Sequence, residues 1–277
     1  MRRHLSTILL VIVLLVGFSL LLYPTVSDWW NSSHQSRVVA EYSQLVEEMN
    51  AGAYDGLWAE ARAYNASLPD TDNRFFMSDA QRAEYDRLLN VGGNGVMGVV
   101  EVPKLELRLP LYHGTGETVL QVALGHIEGS SLPTGGPGTH CVISGHRGLP
   151  SAKLFTNLDR MEIGDVFMLH VLNETLTYEV DQILTVLPEE IDALEIDPEQ
   201  DYCTLVTCTP YGINTHRLLV RGHRIANAEE KTPAVITADA VAVERWQVGA
   251  AVAAPLLAVW FIASMLSGGR GRRRRGE

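Results

Sequence analysis

A mainly β domain, a closed barrel or a sandwich, carried behind a helical front and held between two transmembrane helices, is the fold this sequence predicts. Three observations predict it. The two longest apolar runs lie near the two ends of the 277 residues, each beside a basic cluster. After the first run, apolar residues recur at three- and four-residue spacing, as on one face of a helix. From Val96 onward the texture turns to short β-branched runs separated by Gly, Pro, Asn or Asp.

The first run, residues 5–23, carries no charge. About 19 residues make a helix of ~28 Å, enough to cross a bilayer core. A cleaved signal peptide would have a shorter apolar core and a small-residue cleavage site. No clear A-x-A site follows, so an uncleaved anchor is expected. Arg2, Arg3 and His4 precede the run, which places residues 1–4 in the cytoplasm. The second run, residues 248–266, contains Pro255, which membrane helices tolerate. Trp246 suits the interface before it, and the basic tail after it, residues 267–277, is a positive-inside signal. Both ends are therefore expected inside and everything between the spans outside the cell.

Residues 24–95 read as a helical segment with a loop. Val38, Val39, Tyr42, Leu45, Val46 and Met49 form one apolar helix face, and a second helix runs through Leu57, Ala61 and Tyr64. Residues 65–78 are polar and turn-rich, with Pro69. Ser78 and Gln81 make a capping box that opens a helix to about Leu89. Asn65-Ala66-Ser67 fits a glycosylation sequon. Residues 96–226 hold the strands MGVVEV, LELRLPLY, THCVISG, DVFMLHVL, TLTYEVDQILTVL, DYCTLVTC and HRLLVRGHRI. A hairpin is expected at Asn173-Glu174, and short helices near 152–158 and 189–194. Residues 227–247 read as a linker to the second run. Many short strands with few helices suggest a barrel or sandwich. The net charge of -11 argues against a general nucleic-acid binder, and three cysteines cannot build a dense disulfide framework.

The chemistry gathers at strand ends. Cys208 ends DYCTLVTC just before Thr209-Pro210-Tyr211-Gly212, a place from which a side chain can face a cleft. A buried structural thiol is the rival reading. A nucleophilic thiol needs help, because an ordinary cysteine has a pKa of about 8.5. A histidine supplies that help and can later protonate a leaving amine. Of nine histidines, His146 ends the apolar strand HCVISGH before Arg147-Gly148, whereas most others fall in or beside strands. Attack on a peptide carbonyl also needs a partner for the oxyanion. Arg217 opens the strand after the Cys208 turn, and a hairpin return would bring it back beside Cys208; an ordinary surface arginine is the alternative. CxxC, HxxxH and HExxH metal spacings are missing from the sequence, as are GxSxG and a P-loop.

The block TLVTCTPYGINTHRLLVRG, residues 204–222, resembles the active-site block of the sortases, most of all the pilin-polymerising class C. The resemblance continues backward through GHIEGSSLPTGGPGTHCVISGHRGLPSAKLFTNLD and covers residues 96–225 densely. It implies an eight-stranded barrel and a cysteine transpeptidase acting on LPxTG-like sorting signals, with no cofactor and no metal. Cys208 would attack the Thr carbonyl, His146 would act as acid and base, and Arg217 would hold the carbonyl and oxyanion. The thioacyl product would pass to a lysine amine on a pilin. The partners implied are pilin subunits and the lipid bilayer.

One departure stands out. Class C enzymes usually carry an Asp-Pro-aromatic lid over the active site. The matching stretch here is Asp72-Asn73-Arg74-Phe75-Phe76, without the proline and with the aromatic one position later. Asp72 is expected to pair with Arg217, and Phe75 or Phe76 to cover Cys208, unless the loop only packs on the barrel. Two further readings stay open. One is a housekeeping sortase that attaches proteins to cell-wall precursor; the other is an inactive membrane-anchored pilus scaffold. Lastly, Cys141 and Cys203 stand at equal offsets before His146 and Cys208. The family sets those two strands side by side and parallel, so the two thiols are expected at one level, facing away from the catalytic pair, with a disulfide as an open question.

Overall fold

A single helix, α1 (Arg2–Glu48), carries the first apolar run straight into the folded body, with Pro24 inside it. The sequence suggests separate helices before and after that proline, yet the helix continues unbroken. By length and composition α1 is the one helix among the described residues able to cross a membrane. The structure is a computed structural model and describes residues 2–71 and 73–227. Asp72, the second apolar run and the basic tail lie outside the described residues, as does nearly all of the linker.

Two short helices follow. In α2 (Ala51–Ser67) the Asn50 side chain caps the first turn by accepting from the Ala53 amide at 3.0 Å. In α3 (Asp79–Arg87) the expected capping box is formed by Ser78 and Gln81. Asn65 does not present a sugar acceptor. It is buried near the end of α2, its amide donates to Leu132 O and Thr134 Oγ1, and its carbonyl accepts from Leu132 N. A glycan there would remove one of the two Nδ2–H donors and could not fit without breaking the packing around it.

Eight strands then close a barrel. They are β1 (Val96–Val102), β2 (Leu107–His113), β3 (Leu124–His126), β4 (Thr139–Ser144), β5 (Val166–Val171), β6 (Glu174–Val186), β7 (Asp201–Thr209) and β8 (His216–Ile225). The order around the barrel is β1-β2-β3-β4-β7-β8-β6-β5. The choice between barrel and sandwich is thus settled, and closure leaves no free sheet edge. β3 and the one-turn helix α4 (Glu117–Leu120) are too short to stand out in the sequence. The helices expected near 152–158 and 189–194 shrink to 3-10 turns at Leu158–Arg160 and Asp192–Leu194. The β5–β6 turn falls one residue early: Val171 pairs with Glu174, and Leu172 takes the positive φ of 46°.

Alternation sorts the side chains. Cys141, Ile143, Cys203, Leu205, Leu218 and Val220 join the main core inside the barrel. Val142, Val206 and Leu219 instead form a second cluster on the outer face of β4, β7 and β8. That outer face also holds Cys208 and Arg217.

His140, 1% exposed, is buried on the same face. Its Nδ1 bonds Glu195 O at 2.8 Å and its Nε2 meets Thr204 Oγ1 at 2.7 Å. A carbonyl only accepts, so Nδ1 carries the proton and Thr204 donates to Nε2. Burial, followed by the nearby Arg221 and Arg74 cations, holds the ring down to about 4, against the Glu195 bond. Between the ordinary value near 6.5 and that lower value the unfolded chain binds the extra proton, so stability falls as pH drops through this window. The fully developed loss is about 3 kcal/mol. In pH-dependent denaturant titrations, His140→Gln should flatten the slope between about pH 6.5 and 4; an unchanged slope would assign it to other groups.

Candidate active site

β7 and β8 are paired antiparallel so that Cys208 stands opposite Arg217, with Val206 opposite Leu219 one step below. Paired residues point to the same face, so both side chains share the outer face with Val206 and Leu219. Cys208 and Arg217 are both half-buried. The guanidinium donates through Nη1 to His216 O at 3.1 Å and Asn214 O at 3.3 Å, carbonyls at the start of β8 and just before it. Among the described residues it has no carboxylate partner. The pairing expected between Asp72 and Arg217 lies outside the described residues.

β4 runs parallel to β7, with Cys141 opposite Cys203 and Ser144 opposite Val206. Two bonds carry the register past the end of β4. Gly145 N donates to Val206 O at 3.0 Å, and the buried Thr207 hydroxyl donates to Gly145 O at 2.7 Å. The next residue, His146, therefore comes level with Cys208. Gly145 is needed there, because a Cβ would lie 2.6 Å from Leu124 and 2.7 Å from Phe155. Phe155 N holds the His146 carbonyl at 3.1 Å.

The other two cysteines sit where equal offsets put them, directly opposite one another and inside the barrel. Both are free thiols. Burial pushes Cys203 well above the ordinary thiol range, with Cys141 beside it adding to the shift.

Sequence reasoning does not single out Arg147. Its side chain is 10% exposed. Nη2 pairs with Asp159 at 2.5 Å, and Nη1 reaches Thr209 Oγ1 at 3.3 Å. It thus ties the residue after His146 to the residue after Cys208. Its position after the histidine in SGHRG is a signal, but Asp159 is too far along the chain to be matched to it by eye. A small misplacement of reacting groups can cost up to ~100-fold in rate. Arg147→Met is expected to lower kcat on a peptide by roughly 10-fold or more with KM little changed. An equal loss in a thermal melt with kcat intact would make the clamp purely structural.

The lid stretch lies on this same outer face. Phe75 packs against the outer-face cluster of Val142, Leu194, Val206 and Leu219. Phe76 does not cover anything: it is 86% exposed. Arg74, 9% exposed, anchors the stretch. Its Nη2 donates to Leu194 O at 2.9 Å and lies 3.5 Å from Glu195 Oε2, and its guanidinium stands 4.7 Å from the Phe75 ring centre. Gly129 provides the seat, at φ 84°; a Cβ there would collide with the Arg74 carbonyl.

The sortase-domain family model matches residues 100–225, which includes every strand from β2 to β8. A crystal structure of sortase C1 from Streptococcus agalactiae is 48% identical, with a TM-score of 0.68, and the match covers 69% of this chain and 100% of that one. The chain belongs to the sortase family. A sortase C from Streptococcus pneumoniae is 45% identical at a TM-score of 0.63, covering 69% of this chain and 97% of that one. Sortase A of S. agalactiae is 31% identical over 52% of this chain and 57% of its own length. The chain spans about 57–63% of the length of two curated relatives, this one and a sortase D from Bacillus subtilis. This sortase therefore shares its barrel with solved sortases that include sortase C enzymes.

Proposed function

We propose that this sortase is a class C-type cysteine transpeptidase that joins pilin subunits, anchored in the membrane with its barrel outside the cell. The observation that supports it best is the register that sets Cys208 opposite Arg217 and carries the backbone at His146 level with them on neighbouring strand ends. The thiolate of Cys208 attacks the Thr carbonyl of an LPxTG-like signal. Arg217 donates to the oxygen as negative charge develops on it. The tetrahedral intermediate collapses, the C–N bond to Gly breaks, and His146 gives the departing amine its proton. The thioacyl bond then holds the product until a lysine amine attacks; His146 takes up a proton from that amine, and Cys208 leaves as thiolate. The net exchange is one amide for another, with no redox partner. The S. pneumoniae relative is a sortase C with pilin substrate specificity, and Phe75, packed on the outer face of the strands that carry Cys208 and Arg217, is in keeping with a class C lid. Incubating the folded extracytoplasmic portion with pilins bearing such signals should give covalent ladders. Single attachment to a cell-wall precursor amine, with no ladder, would favour the housekeeping reading.

A further inference from the structure

The barrel has two rims. At one, β4, β6 and β7 finish and β8 begins, so Cys208, His146 and Arg217 stand there. The opposite rim holds the start of β1, the Leu172–Asn173 turn and the start of β7. α1 is bonded to both, in order along its length. Asp28 accepts from Lys153 N at 3.1 Å and Asn31 donates to Ser151 O at 2.8 Å, both in the loop that follows His146. Gln35 donates to Val122 O at 2.6 Å, just before β3. Tyr42 donates to Met97 O at 3.1 Å and accepts from Leu172 N at 2.9 Å, at the opposite rim. The helix thus climbs the barrel from the catalytic rim to the far one.

The direction of that climb fixes the height of the rims, because the same helix contains the apolar run that ends at Tyr23. At about 1.5 Å per residue Asn31 lies ~12 Å beyond Tyr23 and Tyr42 ~28 Å beyond it. Pro24 can tilt the body but cannot exchange the two rims. The surface agrees. Outside the apolar run, most of the large exposed apolar side chains lie on the near side, Trp30, Val122, Ile163, Leu187, Tyr211 and Ile213 among them. The far-rim turns contribute none among the described residues; of the rest, Leu45 lies one turn beyond Tyr42 on the far-rim side, Ile191 in the β6–β7 connection and Phe76 in the loop before α3. Tyr211 and Ile213, 60% and 68% exposed, crown the β7–β8 turn directly after Cys208.

We infer that the catalytic rim faces the lipid bilayer and that the β7–β8 turn, through Tyr211 and Ile213, rests in its headgroup layer. An aromatic with a polar tip and a neighbouring aliphatic suit that layer, where one end is wet and the other apolar. The occupant is the lipid surface because α1 leads from the span to this rim and to no other. A substrate peptide must then reach Cys208 through the narrow space between rim and membrane. The inference rests on the membrane-anchored reading above, and deepens it by giving the barrel an orientation.

The test uses the full chain carrying Cys208→Ala, in which the two remaining thiols are inside the barrel. Ile213→Cys or, separately, Pro137→Cys at the far rim is labelled with an environment-sensitive fluorophore. Each protein is placed in phosphatidylcholine–phosphatidylglycerol vesicles containing a lipid spin-labelled at its headgroup. Flotation is measured first. Floating protein with several-fold stronger quenching at position 213 than at 137 is the expected result. Floating protein with equal quenching, or stronger quenching at 137, overturns the orientation and leaves the anchor intact. Protein that does not float overturns the anchor and the orientation together.

Discussion

Cys208→Ala should abolish both thioacyl formation and transfer, lowering turnover of an LPxTG-like peptide by at least ~1,000-fold, the scale seen when a covalent nucleophile is removed. Cys141→Ala and Cys203→Ala should keep most of the activity. The reason lies in strand parity. Cys208 shares the outer face of β7 with Val206, half-buried and opposite Arg217. Cys203, five residues earlier, faces the barrel interior with Leu205. No substrate can reach it there, and burial opposes its ionisation. Each interior thiol behaves as a small apolar side chain, so its removal costs packing and shifts a melting curve modestly. A thiol-directed substrate mimic followed by intact mass reads the site directly. Label lost in Cys203→Ala but kept in Cys208→Ala would overturn the assignment.

Much of this site is legible in the sequence alone, because strand ends are signalled locally. An apolar run that stops at Cys208-Thr209-Pro210, another that stops at His146-Arg147-Gly148, and a hairpin that returns Arg217 need only alternation and turn chemistry. The level pairing of Cys141 with Cys203 follows from equal offsets on strands that the family resemblance makes parallel. What stays hidden depends on distant partners. Arg74 and Arg147 look like surface arginines until Leu194 and Asp159 are brought to them by the fold. Asn65 reads as a sequon because its triplet is local, while the bonds that bury it come from Leu132 and Thr134. The unbroken course of α1 through Pro24 is also beyond reach, since packing along β1 and β2, not propensity, sustains its second half. The choice between Phe75 and Phe76 needs burial, which adjacent identical residues cannot reveal.

Releasing the lid should speed the reaction. Phe75 packs against the outer-face cluster of Val142, Leu194, Val206 and Leu219; a ring that competes with a peptide for that face reduces apparent affinity in proportion to the closed fraction. Arg74 is the anchor that holds it. Its charged hydrogen bond to Leu194 O and the contact of its guanidinium with the Phe75 ring together represent about 2 kcal/mol in the lid's favour. A free-energy change of that size moves the open-to-closed ratio roughly 30-fold. Arg74→Ala with Phe75→Ala should therefore raise the labelling rate of Cys208 by a thiol reagent by up to that factor and lower KM for a short peptide. Phe76→Ala should change neither, because that ring packs on nothing. The comparison separates gating from packing. A lid that only shields the cluster would, once removed, lower the melting temperature and leave the labelling rate alone. Unchanged labelling in the double variant would show that Phe75 merely packs on the sheet and does not compete with substrate, and an equal gain from Phe76→Ala would move the covering role to the other ring. With the folded extracytoplasmic portion as sample, the rate of mass gain at Cys208 distinguishes the three outcomes.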